Sequence, residues 1–153
     1  MHTFLPFTSD DDISKIGYGL VDRRLPKSAW THAAHFAAVI WLLASYPESD
    51  VVHLFPGLIR SYNEATGVAN TDTSGYHETI TLASIRAASF FLARNRGRPL
   101  FMTCNELMAS PLGRPEWLLT YWSRPRLFSV EARRAWIDPD IQILPFPSGS
   151  QKP

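Results

Sequence analysis

The chain has 153 residues, of which 45% are apolar, 12% aromatic and 19% charged, and its formal net charge is +1. That balance excludes an intrinsically disordered chain and gives no bulk electrostatic case for nucleic-acid binding. A lone cysteine, Cys104, excludes an intramolecular disulfide framework and any cysteine-only metal site.

One helical domain over residues 1–153 is expected, opening with an irregular arm at 1–8. Met1 to Thr8 lack the basic and long apolar regions of a signal peptide. The most apolar run, Ala33 to Ala44, is too short to span a bilayer. The expectation is a cytoplasmic protein with no membrane partner.

Ser9 before Asp10, Asp11 and Asp12 is a helix start, with acidic groups at the positive end of the dipole. Ile13, Ile16, Leu20 and Val21 follow at helical spacing, although Gly17 and Gly19 weaken the segment. Ser28 is expected to cap a second helix whose first turn is Ala29, Trp30 and Thr31 and which Pro47 stops. Its wide apolar surface implies a central helix packed on several sides. A third helix is expected from Ser49-Asp50 to Thr66, closed by Gly67, with Pro56 as a kink or its true first turn. Residues 68–75 form a polar loop, and Ser74 or Gly75 is expected to cap a fourth helix. Leu100 to Ala109 is a fifth, Pro115 to Trp122 a short sixth, and Ser129 caps another running from Val130 to Trp136. From Asp138 the prolines predict an extended tail over 138–153.

The expected fold is therefore all-α: an up-down four-helix bundle with additional short C-terminal helices. In that topology helices two and four run parallel, and their starts share one end with the close of helix three. This gathers three of the five histidines, His32, His35 and His77. Helix N-termini disfavour protonated imidazole, so all three are expected to be neutral, the form that ligates metal. Three imidazoles with one open position suit a divalent zinc, nickel, manganese or iron ion. Glu78 is then general base or fourth ligand, or else only a capping-box partner of the Gly75 backbone N–H. Glu64, Asn63 and Tyr62 lie within reach as ligand or supporting groups. Trp30, Tyr62 and Tyr76 are placed as cavity walls, and Tyr121, Trp122 and Arg124 as a lid over a small-molecule substrate, Arg124 binding its anionic group. His77-Glu78-Thr79-Ile80-Thr81 begins like a zincin helix but lacks the second histidine.

Trp30-Thr31-His32-Ala33-Ala34-His35, Tyr62-Asn63-Glu64-Ala65-Thr66-Gly67, Asn70-Thr71 and Gly75-Tyr76-His77-Glu78-Thr79 resemble the signature of an uncharacterised family of small bacterial helical proteins, over about residues 28–140. That resemblance implies no mechanism. A looser one is to the DinB/YfiT-like bundles, and it implies a divalent metal held by three histidines near one bundle end. Those proteins take two histidines at i and i+4 from one helix; here the pair is at i and i+3.

Three readings follow. The first is a metal-dependent enzyme acting on a small molecule, hydrolase or transferase type ahead of a non-haem iron oxygenase type. The second is a non-enzymatic ligand-binding or homodimerising module using Trp30, Trp117, Tyr121 and Trp122. The third, a di-iron carboxylate bundle, is disfavoured because Glu-x-x-His pairs are missing.

Overall fold

A computed structural model describes residues 5–148, so His2 in the arm and residues 149–153 of the tail lie outside the described residues. The chain is all-helical, with no strand among the described residues. Its α-helices are α1 (Asp10–Val21), α2 (His32–Ser45), α3 (Glu48–Ala65), α4 (Glu78–Arg94), α5 (Leu100–Ala109), α6 (Arg124–Leu127) and α7 (Val130–Arg134). Short 3-10 turns occupy Lys27–Ala29, Pro111–Gly113 and Trp117–Thr120. No helix among the described residues is long and apolar enough to cross a membrane.

α2 is the central element, in contact with α1, α3, α4 and α5. Ala34, Ala37 and Ala38 are buried with Phe36, Val39 and Ile40, so small side chains let neighbours approach on several sides. Gly17 marks a close approach of α1 to α2. A Cβ there would lie 2.2 Å from the indole of Trp41, so the glycine that weakens α1 locally is what lets α1 seat on α2.

Three helix starts differ from expectation. α1 begins as expected, its Ser9 side chain accepting from the Asp12 N–H. α2 begins later, because Thr31 rather than Ser28 caps it by accepting from the Ala34 N–H at 3.2 Å. Lys27–Ala29 forms a separate turn, and Trp30 stands outside the helix. α3 begins earlier, at Glu48 after Pro47, and continues through Pro56. α4 begins later, with His77 itself as its cap. At the close of α3 the left-handed Gly67 (φ 82°) completes a Schellman arrangement, with Val68 N–H donating to Asn63 O at 2.8 Å.

α2 and α4 run the same way. Their last turns, at Leu43–Ala44 and Leu92–Ala93, line one depression. At the other end, Trp30 packs 5.3 Å from Tyr62 in the last turns of α3. Asn70 joins that same stretch of α3 to the approach to α4.

Over residues 138–148 the tail carries no helix or strand. It lies against the helices: Ile141 N–H donates to Tyr121 O at 2.9 Å, and Leu144 and Phe146 are buried. The Phe146 ring lies 5.1 Å from Phe90 and 6.4 Å from Trp117. The arm is tied down as well, Phe7 exchanging backbone hydrogen bonds with the Asn105 amide at 2.9 Å each way.

Candidate functional site

The helix starts that carry the histidines are fastened to the last third of the chain. His32 Nε2–H donates to Leu112 O at 2.7 Å, across 80 residues. His77 Nε2–H donates to Leu127 O at 2.7 Å, and its Nδ1 accepts from the Ile80 N–H at 3.2 Å. His35 Nδ1–H donates to Thr31 O at 2.8 Å. A carbonyl oxygen only accepts, so the bonded nitrogen of each ring carries a proton.

His77 is buried and neutral. Desolvation chiefly lowers its pKa, with the nearby Arg133 guanidinium acting the same way and the hydrogen bond to Leu127 O opposing. His35 lies under Trp30, ring centres 3.8 Å apart. Desolvation lowers its pKa to about 4, with His32 adding to the effect and the Thr31 bond opposing. For both rings desolvation is the largest cause of the lowered pKa.

Several other expected site residues are absorbed into the scaffold. Tyr62 is fully buried and its hydroxyl donates to Leu25 O at 2.7 Å. Asn63 donates to the Asn70 side-chain oxygen, which also takes the Tyr76 N–H, both at 3.0 Å. Gly75 closes this loop in the left-handed region (φ 78°), where a Cβ would fall 2.6 Å from the Asn70 side chain. The buried Tyr76 donates to Glu78 Oε1 at 2.6 Å, under the Arg60 guanidinium. Burial first, then Glu78, pushes the Tyr76 pKa well up. Glu78 is thus the acceptor of a tyrosine hydroxyl rather than a capping-box partner of Gly75.

Others stand apart. Glu64 is exposed on the last turn of α3, and Arg124 is exposed at the start of α6. Trp122 is fully buried, its indole N–H donating to Ile137 O at 3.0 Å and its ring edge-on to Trp136. It is core, so neither a lid nor a partner surface can use it in this arrangement.

Residues not singled out from the sequence do much of the fastening. Thr79 is fully buried, donates to Ala135 O at 2.9 Å and accepts from the Ile137 N–H at 3.2 Å. Arg133 donates to Gly75 O and Tyr76 O at 3.0 and 3.2 Å. Arg134 pairs with Asp72 at 2.6 Å on the surface. No sequence signal marks these contacts, since each joins positions more than 55 residues apart.

A metal needs a lone pair from each ligand. His77 has none to offer, because Nδ1 accepts from Ile80 and Nε2 carries the proton. Among the described residues no group of three or more His, Cys, Asp and Glu is arranged to hold a metal ion. The three histidines as placed do not fit a three-imidazole centre.

Beyond His32 lies a concavity. The turn it holds, Pro111–Gly113, forms one wall of a depression of about 800 Å³. Leu112, Trp117 and Leu119 give its apolar lining, with Arg114, Glu116, Thr120 and Tyr121 also contributing. Gly113 lets this turn close on α5, where a Cβ would meet Met108 O.

The chain matches no protein-family model, no curated protein and no solved structure. The resemblances drawn from its motifs gain no support from that comparison.

Proposed function

We propose that the chain is a helical binding module that holds a small molecule in the depression between the end of α5 and Tyr121. The observation that carries this reading is the depression itself. Its volume of about 800 Å³ falls in the range of small-molecule sites, about 300–1,000 Å³. An apolar lining beside a guanidinium, a carboxylate and three hydroxyl-bearing side chains suits a ligand with an apolar body and polar ends. The bond from His32 to Leu112 O supports the reading by holding one wall in place before a ligand arrives. Tyr121, expected at a substrate site, is part of the lining; Arg124 and Trp122 are not.

The test is a fragment titration followed by 15N–1H spectra. Binding should shift amides between Ser110 and Tyr121 and the Trp117 indole N–H, and Leu119→Arg should abolish those shifts. Fragments that shift only residues elsewhere, or that bind the Leu119→Arg variant equally well, contradict the reading.

A second reading is the metal-dependent enzyme, with hydrolytic or transfer chemistry ahead of oxygen chemistry. One observation favours it: His32 and His35 stand one turn apart at the start of α2, each oriented by a hydrogen bond to a backbone carbonyl. It needs a third donor, which His77 supplies only by releasing Ile80 or Leu127. Elemental analysis of protein purified without a histidine tag decides it. About one equivalent of zinc, iron, nickel or manganese supports it; less than about a tenth, unchanged on reconstitution, excludes it. Both readings rest on an up-down bundle of α1 to α4 carrying the short C-terminal helices, a topology that the common direction of α2 and α4 supports.

A further inference from the structure

We infer that the depression at the opposite end of α2 and α4 is a second binding site, for a small amphiphilic carboxylate. It has a volume of about 450 Å³ and lies between the closing turns of those helices and the start of α5. Leu43, Ala44, Leu92 and Leu100 give it an apolar lining, and Arg96 and Arg98 stand on it from the turn that follows α4.

The charge there is one-sided. Neither Arg96 nor Arg98 lies within salt-bridge distance of a carboxylate among the described residues. Arg94, the third arginine of the run, is stacked on Phe90 at 5.3 Å. The neighbouring acids are engaged elsewhere: Glu106 accepts from the Asn95 amide at 2.7 Å, and Asp10 accepts from the Phe101 N–H at 2.9 Å. The parts contributed by α2, α4 and α5 carry no acidic side chain.

The turn presenting the arginines is fixed. Asn95 is buried and its amide also donates to Phe91 O at 2.7 Å, while Arg98 N–H donates to Asn95 O at 3.1 Å. Gly97 between them is left-handed (φ 82°), with open space where a Cβ would stand. Two guanidinium groups beside an apolar lining match a carboxylate head on a short hydrocarbon body, with charge-assisted bonds fixing the head. The C-termini of α2 and α4 bring partial negative charge and the start of α5 partial positive charge, so the two guanidinium groups are the full positive charges of the lining. This makes their removal a sharp test.

The experiment is a 15N–1H titration of the intact chain with octanoate, with octanol and inorganic phosphate as arms that lack the head or the body. Octanoate should bind saturably and shift amides at Leu92, Ala93 and Arg96 to Arg98. Octanol and phosphate should each bind about tenfold more weakly or worse, and Arg96→Gln with Arg98→Gln should weaken octanoate by about tenfold or more. Both positions are exposed, so the double variant is expected to fold, and its melting temperature checks this. The inference is overturned if octanoate gives no saturable shifts up to about 10 mM. It is equally overturned if octanol or phosphate binds as well as octanoate, if the double variant binds octanoate unchanged, or if the shifts lie elsewhere.

Discussion

His77 shows why a residue type at a helix start does not by itself name a role. Asn, Asp, Ser and Thr are the usual caps, and Ser74 stands three residues before it, so the sequence directs attention away from the imidazole. The structure uses both ring nitrogens, one for the start of α4 and one for Leu127. His77→Asn keeps a capping oxygen but loses the reach to Leu127, and should cost about 1 kcal/mol in urea unfolding. His77→Ala loses both and should cost about 2–4 kcal/mol. Equal effects would mean that one of the two bonds contributes nothing.

The same two histidines set a pH dependence. His35 and His77 have folded pKa values below the ordinary value near 6.5, so in the window beneath it the unfolded chain binds protons the folded chain does not. Their neutral forms leave stability at its full level above about pH 6.5. As pH falls towards about 4, where His35 begins to protonate in the fold, stability should decline, by up to about 1.4 kcal/mol per pH unit for each group. Urea midpoints at pH 7, 6 and 5 measure it, and His35→Asn should flatten the slope. A flat profile in the parent chain would show that neither ring is held neutral.

At the scale of elements, periodicity and punctuation made much of the fold legible. The existence of the first five helices, the bounds of α5, the Ser9 and Ser129 caps and the Gly67 close all follow from local chemistry. The starts of α2 and α4 did not follow, because Thr31 and His77 compete with the nearby serines through contacts that only the fold provides. Gly17 shows the same limit: local propensity counts it against α1, and packing on Trp41 requires it. Gly17→Ala should therefore lower stability by about 1–3 kcal/mol through overpacking, despite alanine's helical advantage of about 1 kcal/mol. Gly57→Ala is the control, an exposed helical position with nothing within 4 Å of a new Cβ, and should gain about 0.5–1 kcal/mol. Paired melting curves test both, and a stabilised Gly17→Ala would show that Trp41 yields.

At the scale of the whole molecule, the last third of the chain is part of the core. Proline-rich sequence predicts extension and says nothing about what the extended backbone lies against. Here Phe146 packs between Phe90 and Trp117, and His32, His77, Thr79 and Arg133 tie the preceding segments to the starts of α2 and α4. Phe146→Ala should cost about 3 kcal/mol, measured by denaturant midpoint, whereas a merely solvated tail would leave stability within about 0.5 kcal/mol. The placement of His32, His35 and His77 at or near the starts of α2 and α4 was legible from the sequence. Their use was not, since the carbonyls they meet, Leu112 and Leu127, come from turns without a readable register. The depression that the His32 bond helps to wall depends on the same unreadable segment.

The account turns on those imidazoles being fasteners, and the imidazole 15N spectrum of His77 tests it directly. At pH 7, before and after one equivalent of zinc, it should show a proton on Nε2, an unprotonated hydrogen-bonded Nδ1, and no change on adding the metal. A proton on Nδ1, or a shift of either nitrogen when zinc is added, would contradict the account and return His77 to the role of a ligand.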